Sequence, residues 1–134
     1  MYTQTLPAKC PPSSASENTA QILYRIFTQP KISDDEFLPY TVLHKNNPRW
    51  LNICEAYAVS FYAKYELALE SSKRAYQSKK PIGNYIAKVQ LMPGIGKIEC
   101  GQKGHCNVWF YAGFNANNHI ACLEVQEITE YGNT

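Results

Sequence analysis

The second half of the chain constrains the fold most, because four short strand-like segments follow one another there with only turns between them. In one of them, YIAKVQL, residues alternate as in a strand that has one partly wet face. Consecutive strands joined by short turns pair antiparallel. We therefore predict a mainly antiparallel sheet with strands at Tyr85–Leu91, Lys97–Cys100, Asn107–Phe114 and His119–Ile128.

The first half contains fewer regular elements. The segment QILYRIF at 21–27 predicts a strand buried on both faces, and Ala56–Tyr62 predicts a second one. Between them prolines break the chain into a loop, with a short extended piece near Tyr40–Leu43. Strong helix formers follow Ala63 until Pro81, which predicts a helix over 64–78.

One main helix set apart from a run of strands is typical of the α+β class. A chain of 134 residues has room for one domain. We place this single α+β domain at residues 21–130. Residues 1–20 are rich in proline and poor in large apolar groups, which predicts a flexible N-terminal arm or a strap laid over the surface. We expect a flexible arm to be dispensable for folding.

Composition excludes some classes of protein. With 45% hydrophobic and 18% charged residues, the chain is an ordinary globular sequence rather than a disordered one. A formal charge of +2 does not predict binding to nucleic acid or to a membrane surface. No apolar run approaches the roughly 20 residues that span a bilayer. The first residues also lack the apolar stretch of a secretory signal, so we expect a cytoplasmic protein.

Five cysteines are an odd set, and without a secretory signal we predict that all of them are free thiols. A small zinc-binding module is the alternative. The chain lacks the closely spaced cysteine pair with which most structural zinc sites begin, so we predict no metal. The candidate zinc ligands would be Cys100, His105, Cys106, His119 and Cys122.

Standard phosphate-loop, nucleophile-elbow and zinc-protease motifs are absent. One residue nevertheless stands out, since Arg25 lies between apolar neighbours in LYRIF. A guanidinium is rarely buried without a partner, and its planar donors suit carboxylate or phosphate. Arg25 is therefore either half of a structural ion pair or a contact to an anionic ligand.

The order of several short motifs resembles the ADP-ribosyltransferase-like superfamily, whose members bind NAD on a split β-sheet. LYRIF with Arg25 is similar to its first element, and AVSFY with Ser60 is similar to its second. The segments PRWLN, with Arg49, and ELALE, with Glu70, resemble the RES branch of NAD-degrading toxins. The chain departs from that branch because it lacks a glycine before Arg49, and Glu70 is one residue too early.

The resemblance implies roles for individual residues in breaking the bond between nicotinamide and ribose. Arg25 would hold a phosphate, with Arg49 as a further cofactor contact. Ser60, backed by Tyr62, would position the nicotinamide ribose, and His105 would contact a phosphate or ribose. A glutamate would stabilise the developing positive charge. Its place falls on LEVQEI, where Glu124 is preferred to Glu127 because Leu123 and Val125 flank it.

The sequence analysis thus predicts an NAD-consuming ADP-ribosyltransferase or NAD glycohydrolase, with NAD as its substrate and a possible protein acceptor or cognate protein partner. The first alternative is a non-catalytic protein-binding domain, immunity-like or antitoxin-like, that uses an aromatic face of the sheet. Structural roles for Arg25, Ser60 and His105 remain open beside both readings: an ion pair, a hydrogen bond to backbone, and a turn residue.

Overall fold

In the described part of the chain, seven strands form one sheet in the order β1-β5-β6-β3-β2-β4-β7, and each pairing between neighbours is antiparallel. The structure is a computed structural model that describes residues 1–129. It confirms an α+β domain with a mainly antiparallel sheet and few helices. The strands are β1 (Ser16–Glu17), β2 (Ile22–Phe27), β3 (Val59–Tyr62), β4 (Tyr85–Leu91), β5 (Gly96–Cys100), β6 (His105–Phe110) and β7 (Ile120–Glu127).

Among the described residues, three α-helices accompany the sheet: α1 (Tyr40–Leu43), α2 (Tyr65–Gln77) and α3 (Ala116–His119). The longest, α2, confirms the helix predicted over 64–78. Within residues 1–129 no helix is both long and apolar enough to cross a membrane. Single 3-10 turns lie at Asp34–Phe37, Pro48–Trp50 and Cys54–Tyr57.

The extended piece predicted near Tyr40–Leu43 is wrong, because these residues form the helical turn α1. Pro39 precedes the turn, and its carbonyl accepts hydrogen bonds from the amides of Val42 and Leu43, at 3.0 Å each. A proline has a fixed φ that suits the start of a helix and lacks only an amide that would be unpaired there. The proline that signalled a break therefore begins a turn.

The sheet consists of two halves that meet at one narrow junction. We call β1, β5, β6 and β3 the first half-sheet, and β2, β4 and β7 the second half-sheet. Within the second half-sheet, β2 pairs with β4 through six consecutive residues. At the junction, β2 pairs with β3 through a single residue pair, Tyr24 with Tyr62. The two strands separate on one side of this pair.

Both faces of the sheet are covered by other parts of the chain, so the strands carry apolar residues on both of their faces. One face carries the larger core, to which β2 contributes Leu23 and Phe27 and β3 contributes Val59 and Phe61. This core spans both half-sheets. The opposite face packs against α2 through a smaller cluster of Ile26, Ala68, Ile86 and Ile128.

The first twenty residues form a strap rather than the predicted flexible arm. Strand β1 pairs with β5, and Tyr2 bridges to Tyr111. Asn18 is buried, with its Nδ2 donating to Met92 O at 2.8 Å. The strap was one of the two predicted alternatives, and a few hydrogen bonds together with the Cys10–Cys54 disulfide hold it in place. The expectation that this segment is dispensable loses its basis.

The prediction of five free thiols is wrong. Cys10 forms a disulfide with Cys54, and Cys100 forms one with Cys106, which leaves Cys122 free. Their pairing depends on contacts between distant segments, which spacing along the chain does not reveal. Disulfides persist in oxidising compartments, so this pairing counts against the expected cytoplasmic location.

Candidate functional site

A cleft of about 360 Å³ opens where β2 and β3 separate. Its walls come from β3 and β6, from the segment that carries α1 and two of the 3-10 turns, and from α2 and the residues after it. Apolar and aromatic side chains dominate, with a few polar groups among them, as is usual for a ligand site. The polar and charged residues lining the cleft are Arg25, Tyr40, Glu55, Ser60, Tyr62, Ser71, His105 and Asn107.

Arg25 lies where the backbone ladder between the two half-sheets ends. Its guanidinium donates from Nη1 to the carbonyl of Ser60, at 2.7 Å, and from Nε to the carbonyl of Glu36, at 2.6 Å. The charge also lies 5.9 Å from the ring centroids of Phe37 and of Phe61. Arg25 thus bridges β2 to β3 with its side chain, and its partners are carbonyls and rings rather than an anion.

The carboxylate that acts most strongly on this cation, that of Glu36, forms its hydrogen bonds with another residue. Glu36 is buried, and its carboxylate accepts from the amide and the hydroxyl of Thr28, at 2.7 Å each. Within residues 1–129 no carboxylate forms an ion pair with Arg25. Burial lowers the pKa of Arg25 to about 10, against an opposing influence of Glu36, and the side chain remains cationic at neutral pH. The cleft is therefore lined by a cation that forms no ion pair within residues 1–129, although the charge of Glu36 offsets it in part.

Ser60 and His105 both line the cleft and are joined by a hydrogen bond between the serine Oγ and the histidine Nε2. They reach each other diagonally, because Tyr62 lies opposite His105 in the ladder and Ser60 lies opposite Asn107. The ring of Tyr62 meets the His105 ring edge-on at 5.4 Å, and its hydroxyl shares a 2.7 Å hydrogen bond with Ser71. Three of the predicted site residues are therefore adjacent.

His105 is neutral at physiological pH. Partial burial lowers the pKa of its imidazole below the ordinary value of 6.5. The residue begins β6 directly after a turn, and its carbonyl accepts from the amide of Gly101 at 2.9 Å. The next residue, Cys106, is bonded to Cys100 on the facing strand. His105 therefore lies on the cleft wall at the start of β6, directly after the turn and not within it.

The outer rim of the cleft is aromatic. Tyr40 and Trp50 lie with ring centroids 5.1 Å apart, and His44 contacts both rings. The guanidinium of Arg49 lies 4.6 Å from the centre of the Trp50 ring, so Arg49 reaches the rim although it does not line the cleft. Trp50 Nε1 is a buried donor without a hydrogen-bond partner among residues 1–129. At this rim the flat ring of a ligand would find two aromatic side chains to stack on, Tyr40 and Trp50, with the cation of Arg49 beside them.

Two glutamates from the sequence analysis lie outside this group. Glu124 is exposed on the edge strand β7 and faces Lys88 in the ladder, and two strands separate β7 from β3. Neither Glu124 nor Glu70 is among the described residues that line the cleft. The predicted set is thus brought together for Arg25, Ser60, Tyr62 and His105, and Glu124 is left apart from it.

Glu55 is a cleft residue that the sequence analysis missed. It lies in the 3-10 turn Cys54–Tyr57 and is the one acidic residue among the described residues that line the cleft. Its neighbour Cys54 is held twice, by the disulfide to Cys10 and by a 3.1 Å hydrogen bond from Trp109 Nε1 to its carbonyl. No motif signals such a position, since distant residues create it.

A metal centre finds no support in this arrangement. Cys100 and Cys106 are joined to each other, and a disulfide sulfur is not the thiolate that binds zinc. Within residues 1–129 no group of three or more histidine, cysteine, aspartate and glutamate side chains lies close enough to hold a metal ion.

Comparison with known proteins adds no relative. No protein-family model, no curated protein and no solved structure matches the chain.

Proposed function

We propose that the chain binds NAD in the cleft between β2 and β3 and cleaves the bond between nicotinamide and ribose, as an NAD glycohydrolase or an ADP-ribosyltransferase. The proposal combines the resemblance of its motifs to the ADP-ribosyltransferase-like superfamily with the geometry of the cleft. A finer assignment of the α+β fold to that superfamily is part of the same proposal.

The observation that carries the proposal is the charge of Arg25. Arg25 lines an apolar-walled cleft and its guanidinium donates to carbonyls, so its charge forms no ion pair with a carboxylate of the described chain, although Glu36 acts on it through space. An anion that enters the cleft gains from this charge in a poorly hydrated place, where electrostatic attraction is strong. A phosphate of NAD is such an anion.

The aromatic residues agree with a ligand that also carries flat rings. Tyr62 lines the inner wall, and Tyr40 with Trp50 lines the rim, where Arg49 adds a second positive charge. NAD has two ring systems on either side of a pyrophosphate. In this proposal Arg25 and Arg49 attract the phosphates, and the rings of NAD stack on the aromatic side chains.

The carboxylate of the reaction is proposed to be Glu55 rather than Glu124, because Glu55 lines the cleft and Glu124 does not. When the bond between ribose C1′ and the nicotinamide nitrogen breaks, its electron pair leaves with nicotinamide, which becomes neutral. The ribose ring then carries positive charge, which a carboxylate stabilises. In hydrolysis, water adds to C1′ and releases one proton.

The test is NAD binding by calorimetry together with nicotinamide release by the purified protein. Arg25→Gln is expected to weaken NAD binding at least tenfold. Arg74→Gln is the matched control, because Arg74 is exposed on α2 and does not line the cleft. If the wild-type protein neither binds NAD at millimolar concentration nor releases nicotinamide, the proposal fails.

A second candidate, a protein-binding domain, is favoured by exposed apolar side chains around the rim. Tyr40, Leu43, Leu51 and Ile53 are each at least 38% exposed on the segment that forms this side of the cleft. Large apolar groups in such a position are typical of a protein contact surface. A partner there and NAD in the cleft are compatible. Loss of the NAD proposal would leave the rim as the functional surface.

A further inference from the structure

The hydrogen bond between Ser60 and His105 lies beside the place proposed for the nicotinamide ribose. We propose that this pair is a proton relay, in which His105 is the base that receives the proton of an oxygen nucleophile attacking ribose C1′ and Ser60 passes it on. This inference rests on the proposed function. It commits the cleft to oxygen nucleophiles, which are water or an acceptor hydroxyl.

The position of the pair supports a relay. Ser60 and His105 both line the cleft, and the Oγ–Nε2 hydrogen bond places the serine hydroxyl against the imidazole. The edge-on ring of Tyr62 limits the movement of the imidazole. A hydroxyl and an imidazole within hydrogen-bond reach are the ordinary arrangement for transfer of a proton between side chains.

The step balances without any further reactant. The bond from C1′ to nicotinamide breaks and its electrons leave with nicotinamide, while a bond forms from the nucleophile oxygen to C1′. The proton of that oxygen passes to Ser60 Oγ, while the hydroxyl proton of Ser60 passes to His105 Nε2. The imidazolium then returns the proton to solvent.

The protonation state of His105 suits this role. Desolvation lowers the pKa of the imidazole, so it is free to accept a proton near neutral pH. The titratable or charged groups that line the same cleft are Arg25 from β2, Tyr40 from α1, Glu55 from the 3-10 turn and Tyr62 from β3. Glu99 on β5, next to β6, holds the hydroxyl of Ser14.

The experiment measures nicotinamide release and NAD affinity from pH 5 to pH 8 for the wild-type protein and His105→Gln. A relay predicts that the wild-type rate falls as the pH drops and His105 becomes protonated. In His105→Gln, kcat should fall by about 10²–10⁴-fold, the acidic limb should disappear, and the Kd for NAD should stay within about twofold. Imidazole in the buffer should partly restore the rate of His105→Ala. His119→Gln, which alters a histidine outside the cleft, is the control.

Ser60→Ala provides a second variant in case His105→Gln does not fold. It should bind NAD like the wild-type protein but lose at least tenfold in kcat. The relay is overturned if the wild-type protein cleaves NAD and each of His105→Gln and Ser60→Ala that folds keeps the wild-type rate and pH profile. It is also overturned if their only defect is weaker NAD binding, because the pair is then a ligand contact. A wild-type protein that does not cleave NAD instead contradicts the proposed function itself.

Discussion

The two edges of β2 are held in different ways. Toward β4 the strand makes six consecutive residue pairs, whereas toward β3 it makes the single pair of Tyr24 with Tyr62. Beyond that pair the connection is a side chain, because Arg25 donates to the carbonyl of Ser60. A continuous backbone ladder leaves no space between strands, but a side-chain bridge leaves a cleft beside it. The candidate site lies at the weaker of the two edges.

This contrast implies that a few side chains and tethers at the junction hold the first half-sheet to the second half-sheet. Within the second half-sheet, by comparison, backbone hydrogen bonds hold the strands together, and most surface substitutions leave those bonds intact. The following predictions test this difference, starting with the largest expected effect.

Removing the Cys10–Cys54 disulfide, which ties the strap to the cleft wall, should lower the free energy of unfolding most. The Cys10–Cys54 disulfide closes a loop with a sequence separation of 44, and replacing both cysteines by serine should lower the free energy of unfolding by about 4 kcal/mol. Replacing Cys100 and Cys106, which are six residues apart, should cost about 2 kcal/mol. Urea denaturation of both variants measures the difference. Equal losses would show that loop closure is not what the tether contributes.

Asn18 should be the next most sensitive position, because it clamps the turn that leads from the second half-sheet to the first. Its Oδ1 accepts from the amides of Ile95 and Gly96, at 2.8 Å and 3.0 Å, and its Nδ2 donates to Met92 O. Asn18→Ala leaves these buried groups unpaired and should cost about 3 kcal/mol. Denaturation of Asn117→Ala, an exposed asparagine, is the control and should differ from wild type by less than about 0.5 kcal/mol.

Arg25→Met should show that the bridge at the junction has a structural share. The carbonyls of Ser60 and Glu36 lose their donor, and we expect a loss of about 2 kcal/mol in the free energy of unfolding. Lys88→Met, on β4 opposite Tyr24 at the fully paired edge of β2, should cost less than about 0.5 kcal/mol. Equal losses from the two variants would contradict the difference between the two edges.

The smallest effect concerns pH. The pKa of His105 is lower in the folded protein than in the unfolded chain, where it is 6.5. The unfolded chain therefore binds more protons below that pH, and the contribution of His105 to stability falls as the pH drops through 6.5. The melting temperature of His105→Gln should decrease less between pH 7.5 and pH 5.5 than that of the wild-type protein. A larger decrease in the variant would reverse the sign and refute the argument.

The candidate site could be predicted from the sequence only in part. Arg25 was found because a cation among apolar neighbours needs a partner, but the carbonyls that satisfy it belong to β3 and to a distant turn. Ser60 and Tyr62 lie two residues apart in one predicted strand, but only the pairing of β3 with β6 places His105 beside them. The sequence analysis missed Glu55 and preferred Glu124, because the residue pattern within one segment does not show which segments become neighbours in the fold.

The sequence by itself determined most of the strands, the main helix and the fold class. Alternation in YIAKVQL and LYRIF predicted β4 and β2, and the helix formers after Ala63 predicted α2, since these patterns reflect burial that repeats within one segment. Tertiary structure alone decided the strand order, the disulfides and the choice between a flexible arm and a strap, because each depends on contacts between residues far apart in the chain. The cleft belongs to this second group: it exists because β2 and β3 meet at one residue pair and then separate.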